Sequence, residues 1–240
     1  MRLRPAQFQK THLRVSAVLY VVFLLSSCRA AAYDTTFTAE NRAHNTSGGK
    51  RFDNEIGVAW TVNMLQEVKP FIIKTFSLSP EKERDLVPWY LEDFDGAAYS
   101  INNEIHVSAG WLNGLAEPGD SSTLKFELQG VMYHEMTHIW QNNLGDYAGD
   151  QYFRGVIEGI ATWMELVAGF GIDPKVKGGN WYDGYTNTAH FLDWIESTKI
   201  DSFVNRLNQK MGLEQWRNDF FLEITGTDVD SLWSEYQASY

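Results

Sequence analysis

The sequence predicts an α+β fold, with a small N-terminal mixed β-sheet and a long helix followed by a mainly helical C-terminal lobe. Three patterns predict it. Short runs of β-branched and aromatic residues with alternating polarity fall before Ser108. Beyond that point apolar residues recur at helical spacing almost to the C-terminus. Between the first strand and the others, helical spacing also runs from Asp53 to Phe76. At 240 residues, 44% hydrophobic and 14% aromatic, the chain can bury roughly 70% of its unfolded surface as one domain or two tightly packed lobes.

The first 32 residues carry five basic residues and no acidic ones, with an apolar run from Val15 to Leu25 and small residues at Ala30 to Ala32. That run is too short to span a bilayer and suits a signal peptide, leaving 33–240 as the mature domain with no stable membrane insertion. The expected location is therefore extracellular. In a bacterium, Leu25-Ser26-Ser27-Cys28 would instead read as a lipidation signal, anchoring the protein through Cys28. Without the leader, 15 basic residues face 31 acidic ones, a net charge near −16. So acidic a protein does not bind nucleic acid or anionic membranes through its charge. Cys28 is the only cysteine, so the mature chain has neither disulfides nor a thiol nucleophile. Asn45-Thr46-Ser47 is a glycosylation sequon, meaningful only in a eukaryotic secretory pathway.

In chain order, Tyr33 to Ala43 reads as a strand and Asn45 to Lys50 as a loop. Ile56, Trp60, Met64, Val68 and Ile72 then mark one long amphipathic helix, capped by Asp53 and bent at Pro70. Leu86 to Phe94 and Ile101 to Ser108 read as strands, with a turn or bulge at Asp95-Gly96. In the second of these, Ile105 and Val107 alternate with Glu104, His106 and Ser108, as in a strand with one wet face. An extended substrate could add to such a strand, although an ordinary sheet strand has the same pattern. His106 reads as a satisfied side chain and His44 as a solvated one.

A helix from about Ser121 to Gly145 carries His134, Glu135 and His138 in the pattern HExxH. Two histidines four residues apart lie on one helix face and can reach one zinc ion. Glu135 points about 100° away, placed to take a proton from the zinc-bound water. The histidines flank the apolar arc of Leu128, Met132, Met136 and Ile139, on the shoulder of a buried face. Two ligands are incomplete. A histidine six residues after His138 would complete the metzincin set, but that position is Leu144. A second helix, Arg154 to Phe170, offers Glu158, and the small residues Gly159 and Ala161 would let it pack close to the first. Glu158 is thus the candidate third ligand, with Asp146, Asp150 and Glu165 as alternatives.

HEMTHIWQ followed by IEGIATW resembles the glutamate-type zincins of aminopeptidase-N type. DNEIG, DGAAYSINNEIHVSA, GVMYHEMTHIWQ, VIEGIATW, WYDGYTNTAHFLDW and the final LWSEYQASY are together similar to the plant basic secretory protein family. The likeness covers essentially all of 33–240. It implies a zincin-like fold and a secreted zinc peptidase, with peptide or protein substrates. Three features depart from that family. Thr162 stands where an aspartate is usual, removing a carboxylate that could orient a histidine ligand. His190 replaces a common arginine, and the charge is acidic.

Downstream, Asn180 to Tyr185 is aromatic and turn-rich, and a helix follows through Ile195. Such an enzyme needs a donor for the oxyanion of the tetrahedral intermediate. Tyr185, which begins this helix after a glycine and resembles a Gly-Tyr-Asp segment of the family, is the candidate, with His190 as the substitute. Phe203 to Met211, Trp216 to Thr225 and Val229 to Tyr240 read as short scaffold helices, the last capped by Asp228. The expected molecule is a monomeric zinc metallopeptidase with Glu135 and Tyr185 as catalytic residues. The alternatives are an inactive secreted defence or binding protein on the same fold, and a hydrolase of another bond. The intact Glu135 favours catalysis, because a binding scaffold has no use for it.

Overall fold

The computed structural model describes residues 35–79 and 84–239. The leader, its cleavage site and Cys28 lie outside them. Among the described residues are four strands, β1 (Thr36–Asn41), β2 (Leu86–Glu92), β3 (Ala98–Ile101) and β4 (Glu104–Ser108). The helices are α1 (Ser47–Glu55), α2 (Val58–Thr75), α3 (Ala109–Gly114), α4 (Ser121–Trp140), α5 (Gln151–Val167), α6 (Tyr185–Thr198), α7 (Phe203–Met211), α8 (Phe220–Thr225) and α9 (Val229–Ala238). The fold is α+β, as the sequence predicts: a small mixed sheet in the N-terminal part and mostly helices after it. No described helix is long and apolar enough to cross a membrane.

The sheet order is β1-β2-β4-β3, with β1, β2 and β4 parallel and β3 antiparallel to β4. Its inner face carries Phe37, Val87, Trp89, Leu91, Ile105 and Val107, all buried against Leu65, Val68 and Ile72 of α2 and Leu128 and Met132 of α4. The turn in the last hairpin is at Asn102-Asn103, both with positive φ (52° and 64°). That is the two-residue turn whose twist suits a hairpin. Asp95-Gly96 instead lies in the connection from β2 to β3.

Three local expectations are corrected. Asn45 to Lys50 is not all loop, because Thr46 caps α1 by accepting from Gly49 N. Asp53 is inside α1, bonded to Asn41 and His44, and α2 starts only after Gly57 (φ 79°) breaks the run. The helix continues through Pro70. β4 has no wet face: His106 is buried, its ring stacked on Tyr99 and its Nδ1 2.7 Å from Glu92. Since β4 is paired on both sides, it has no free edge for an incoming strand; β3 is the outer strand.

α5 lies between α4 and α6. Gly130 of α4 allows the first approach, as a Cβ there would stand 3.1 Å from Glu165 and Phe170. Gly155 and Gly159 of α5 serve the second. A Cβ on them would come within 2.0 Å of the Tyr182 carbonyl oxygen and 2.3 Å of Thr188 Cγ2. Gly159 therefore brings α6, not α4, close to α5. Phe191 of α6 forms an aromatic core with Phe203, Trp216 and Phe221 of the segments that follow.

Candidate metal centre

α4 is capped by Asp120, which accepts from Thr123 N, and runs five turns to Trp140. Its shoulder places His134 and His138 one turn apart with their Nε2 atoms 3.1 Å from each other. From α5, capped by Asp150, Glu158 brings Oε2 to 3.3 Å from His134 Nε2 and 3.7 Å from His138 Nε2. Four-coordinate binding with bonds of about 2.0–2.1 Å sets ligand atoms roughly 3.3 Å apart. The three atoms fit one such ion, and together these residues are a group that could hold a metal.

The alternatives for the third ligand are accounted for elsewhere. Asp146 accepts from Gly149 N, and Asp150 caps α5. Glu165 lines the same cleft but is outside the group.

Each of the three side chains is also held at its other polar atom. Thr162 Oγ1 is 3.1 Å from His134 Nδ1, so a hydroxyl stands where a carboxylate was missed. Gln141 Nε2 is 2.6 Å from His138 Nδ1, and the Tyr147 hydroxyl donates to Glu158 Oε1. Such outer contacts fix ligand orientation.

Titration behaviour follows from this crowding. Burial opposes a charge on His134, but Glu158 and Glu135 outweigh it and raise its pKa. Burial and the neighbouring His134 push His138 down to about 3. Burial opposes ionised Glu158 too, yet its bond to His134, the charge of His138 and the Tyr147 hydroxyl bring it down to about 2.

Glu135 is buried at 5% exposure and faces the cleft. Ser100 of β3 holds it, with Oγ 2.9 Å from both Glu135 Oε2 and Glu135 O. Burial raises its pKa above the ordinary carboxylate value. That shift suits a group that must both accept and return a proton.

The centre opens into a cleft of about 1150 Å³ bounded by β3, α4, α5 and the start of α6. Tyr185 is 57% exposed there, its ring parallel to that of His134 with centroids 5.9 Å apart. Gly184 (φ 81°) and Tyr185 (φ 41°) make the sharp entry to α6. A bulky residue at positive φ is strained, and such strain collects at functional sites. His190, the other candidate donor, is buried and gives its Nε2–H to the Asp173 carbonyl; it does not line the cleft. Sequence reasoning missed Ser100, Gln141 and Tyr147. Gln141 was findable, three residues beyond His138 on the same helix side, whereas Ser100 and Tyr147 arrive only through tertiary packing.

A family model described as peptidase of plants and bacteria matches residues 33–236. The chain belongs to this family. Membership makes a peptidase of it in general terms and agrees with the resemblance read from the motifs. A search of the curated proteins returned no match. In this family member, His134, His138 and Glu158 line a cleft where a peptide could reach them.

Proposed function

We propose that the protein is a secreted, monomeric zinc metallopeptidase. The observation carrying this reading is the convergence of His134 Nε2, His138 Nε2 and Glu158 Oε2 beside the buried Glu135 in an open cleft. Two imidazole nitrogens, one carboxylate oxygen and tetrahedral spacing are the donor set of hydrolytic zinc sites. Zinc held there would polarise the scissile carbonyl and acidify a water. Glu135 takes the proton from that attacking water and returns it to the leaving amine. Ser100 keeps the carboxylate aimed during both transfers. Tyr185, from the start of α6, donates to the developing oxyanion. β3 is the outer strand on the cleft wall, so its free edge can hold an extended peptide by main-chain hydrogen bonds.

Secretion rests on the leader and would be checked by mass spectrometry of the mature N-terminus, which should begin near Tyr33. The activity is tested by metal analysis and cleavage of a mixed peptide library before and after chelation. We expect one zinc per chain, and loss of cleavage on chelation with recovery on adding zinc. Chelation should also lower the melting temperature, since an ion at 1,000 times its Kd stabilises by about 4 kcal/mol. A folded protein that takes up no zinc would refute the reading.

A further inference from the structure

Gln141 is the first residue past α4, and its environment fixes where its side chain can go. Its backbone N–H still bonds to Thr137 O, while its ψ of 150° ends the helix. Asn142 is clamped to α7, through its N to Asn208 Oδ1 and its Nδ2 to Asn208 O, both 2.8 Å. The side chain of Gln141, 6% exposed, folds back on His138. Its Nε2 is 2.6 Å from His138 Nδ1, and its Oε1 is buried with no hydrogen-bond partner.

A neutral imidazole has one N–H and one bare nitrogen. Nε2 is the atom that points at Glu158 and His134. An ion bound there needs Nε2 bare and the ring proton on Nδ1. That N–H then needs an acceptor, and the orphaned Oε1 is one. A half-turn of the flat carboxamide exchanges Oε1 and Nε2 with little change of shape. His134 needs no such turn, because the Thr162 hydroxyl can donate or accept by rotation alone.

We propose that Gln141 is the positioning residue of His138, its carboxamide oxygen accepting from Nδ1–H and so leaving Nε2 bare to hold an ion. This rests on the metal-site reading above.

The test uses the full mature chain with three substitutions and Zn²⁺ as the probe. Zinc affinity is read by competition with a chromophoric chelator, and the His138 Nδ1–H by imidazole ¹⁵N NMR. Gln141→Met keeps the volume but removes the acceptor, and should weaken zinc binding roughly 10–100-fold. Gln141→Glu offers acceptors only, and should bind at least as tightly as the wild type. Zinc-loaded wild type and Gln141→Glu should show a hydrogen-bonded His138 Nδ1–H, and zinc-loaded Gln141→Met a free one. If Gln141→Met fails to fold, the glutamate variant and the two spectra decide. Equal zinc affinity in wild type and Gln141→Met, or a free His138 Nδ1–H in the zinc-loaded wild type, overturns the proposal alone. His134→Ala separates the two readings: if it binds zinc as tightly as the wild type, the metal site itself is wrong and the Gln141 role falls with it.

Discussion

Replacing Gly159 by alanine sets two effects against each other. Alanine is a better helix former by about 1 kcal/mol, which would stabilise α5. The new Cβ, however, would stand 2.3 Å from Thr188 Cγ2 and 2.5 Å from Thr188 Cβ. Carbon atoms in contact prefer about 3.5–4.0 Å, so α6 must retreat by roughly 1 Å. Thr188 cannot swing aside, because its hydroxyl donates to Trp181 O (2.8 Å) and accepts from Gly184 N (2.9 Å). Overpacking of this kind costs about 1–3 kcal/mol, and the immobile neighbour puts Gly159 at the upper end. The net expectation is a loss of about 1–2 kcal/mol, seen as a lower denaturant midpoint with unchanged slope. The displaced α6 begins at Tyr185, whereas His134, His138 and Glu158 lie on α4 and α5. Zinc content should therefore hold, while kcat falls by about 100-fold if the tyrosine moves by an ångström. A variant as stable and as active as the wild type would refute both the tight α5–α6 contact and the role given to Tyr185.

Other expectations follow from the same contacts. Asp150→Ala removes the acceptor for Tyr152 N and Phe153 N at the start of α5, and should cost about 1 kcal/mol in chemical unfolding. Asp53, Asp120 and Asp228 are held below the ordinary aspartate value of 3.8, chiefly by hydrogen bonds from Asn41, Thr123 and Ser231 respectively. A carboxylate with a lowered folded-state pKa stabilises above its unfolded value and loses that contribution as pH falls through the folded one. Thermal stability should thus decline below about pH 4, and less steeply in Asp53→Asn; an equal decline in that variant would contradict the Asp53 assignment.

Much of this molecule is legible in its sequence because helical periodicity reports packing directly. α7 has the bounds its apolar spacing implies, and α4 and α5 differ from expectation only at their ends. The errors fall where tertiary contact overrides local preference. Gly48 and Gly49 look like loop residues, yet they belong to α1. A Cβ on either would collide with a backbone carbonyl, of Ala109 or of Ala43. Glycine is there for close approach, and no local signal separates that from flexibility. Likewise, alternation in β4 correctly marks a strand but not the aromatic cover that buries His106. The cluster of His134, His138 and Glu158 was readable, because i and i+4 on a helix fix a shared face and Glu158 had only a few rivals. Ser100 and Tyr147 were not, because a strand pairing and a loop bring them to the site from outside its motif.

The central claim is that Glu135 moves the proton at a metal held by its neighbours. The measurement that tests it most directly is zinc content and cleavage of a mixed peptide library by wild type and Glu135→Gln. Glutamine keeps the size of the side chain but cannot take a proton from water, so the variant should bind one zinc per chain and cleave at least about 100-fold more slowly. A zinc-loaded Glu135→Gln that cleaves at the wild-type rate, or a zinc-loaded wild type that cleaves nothing, would contradict it.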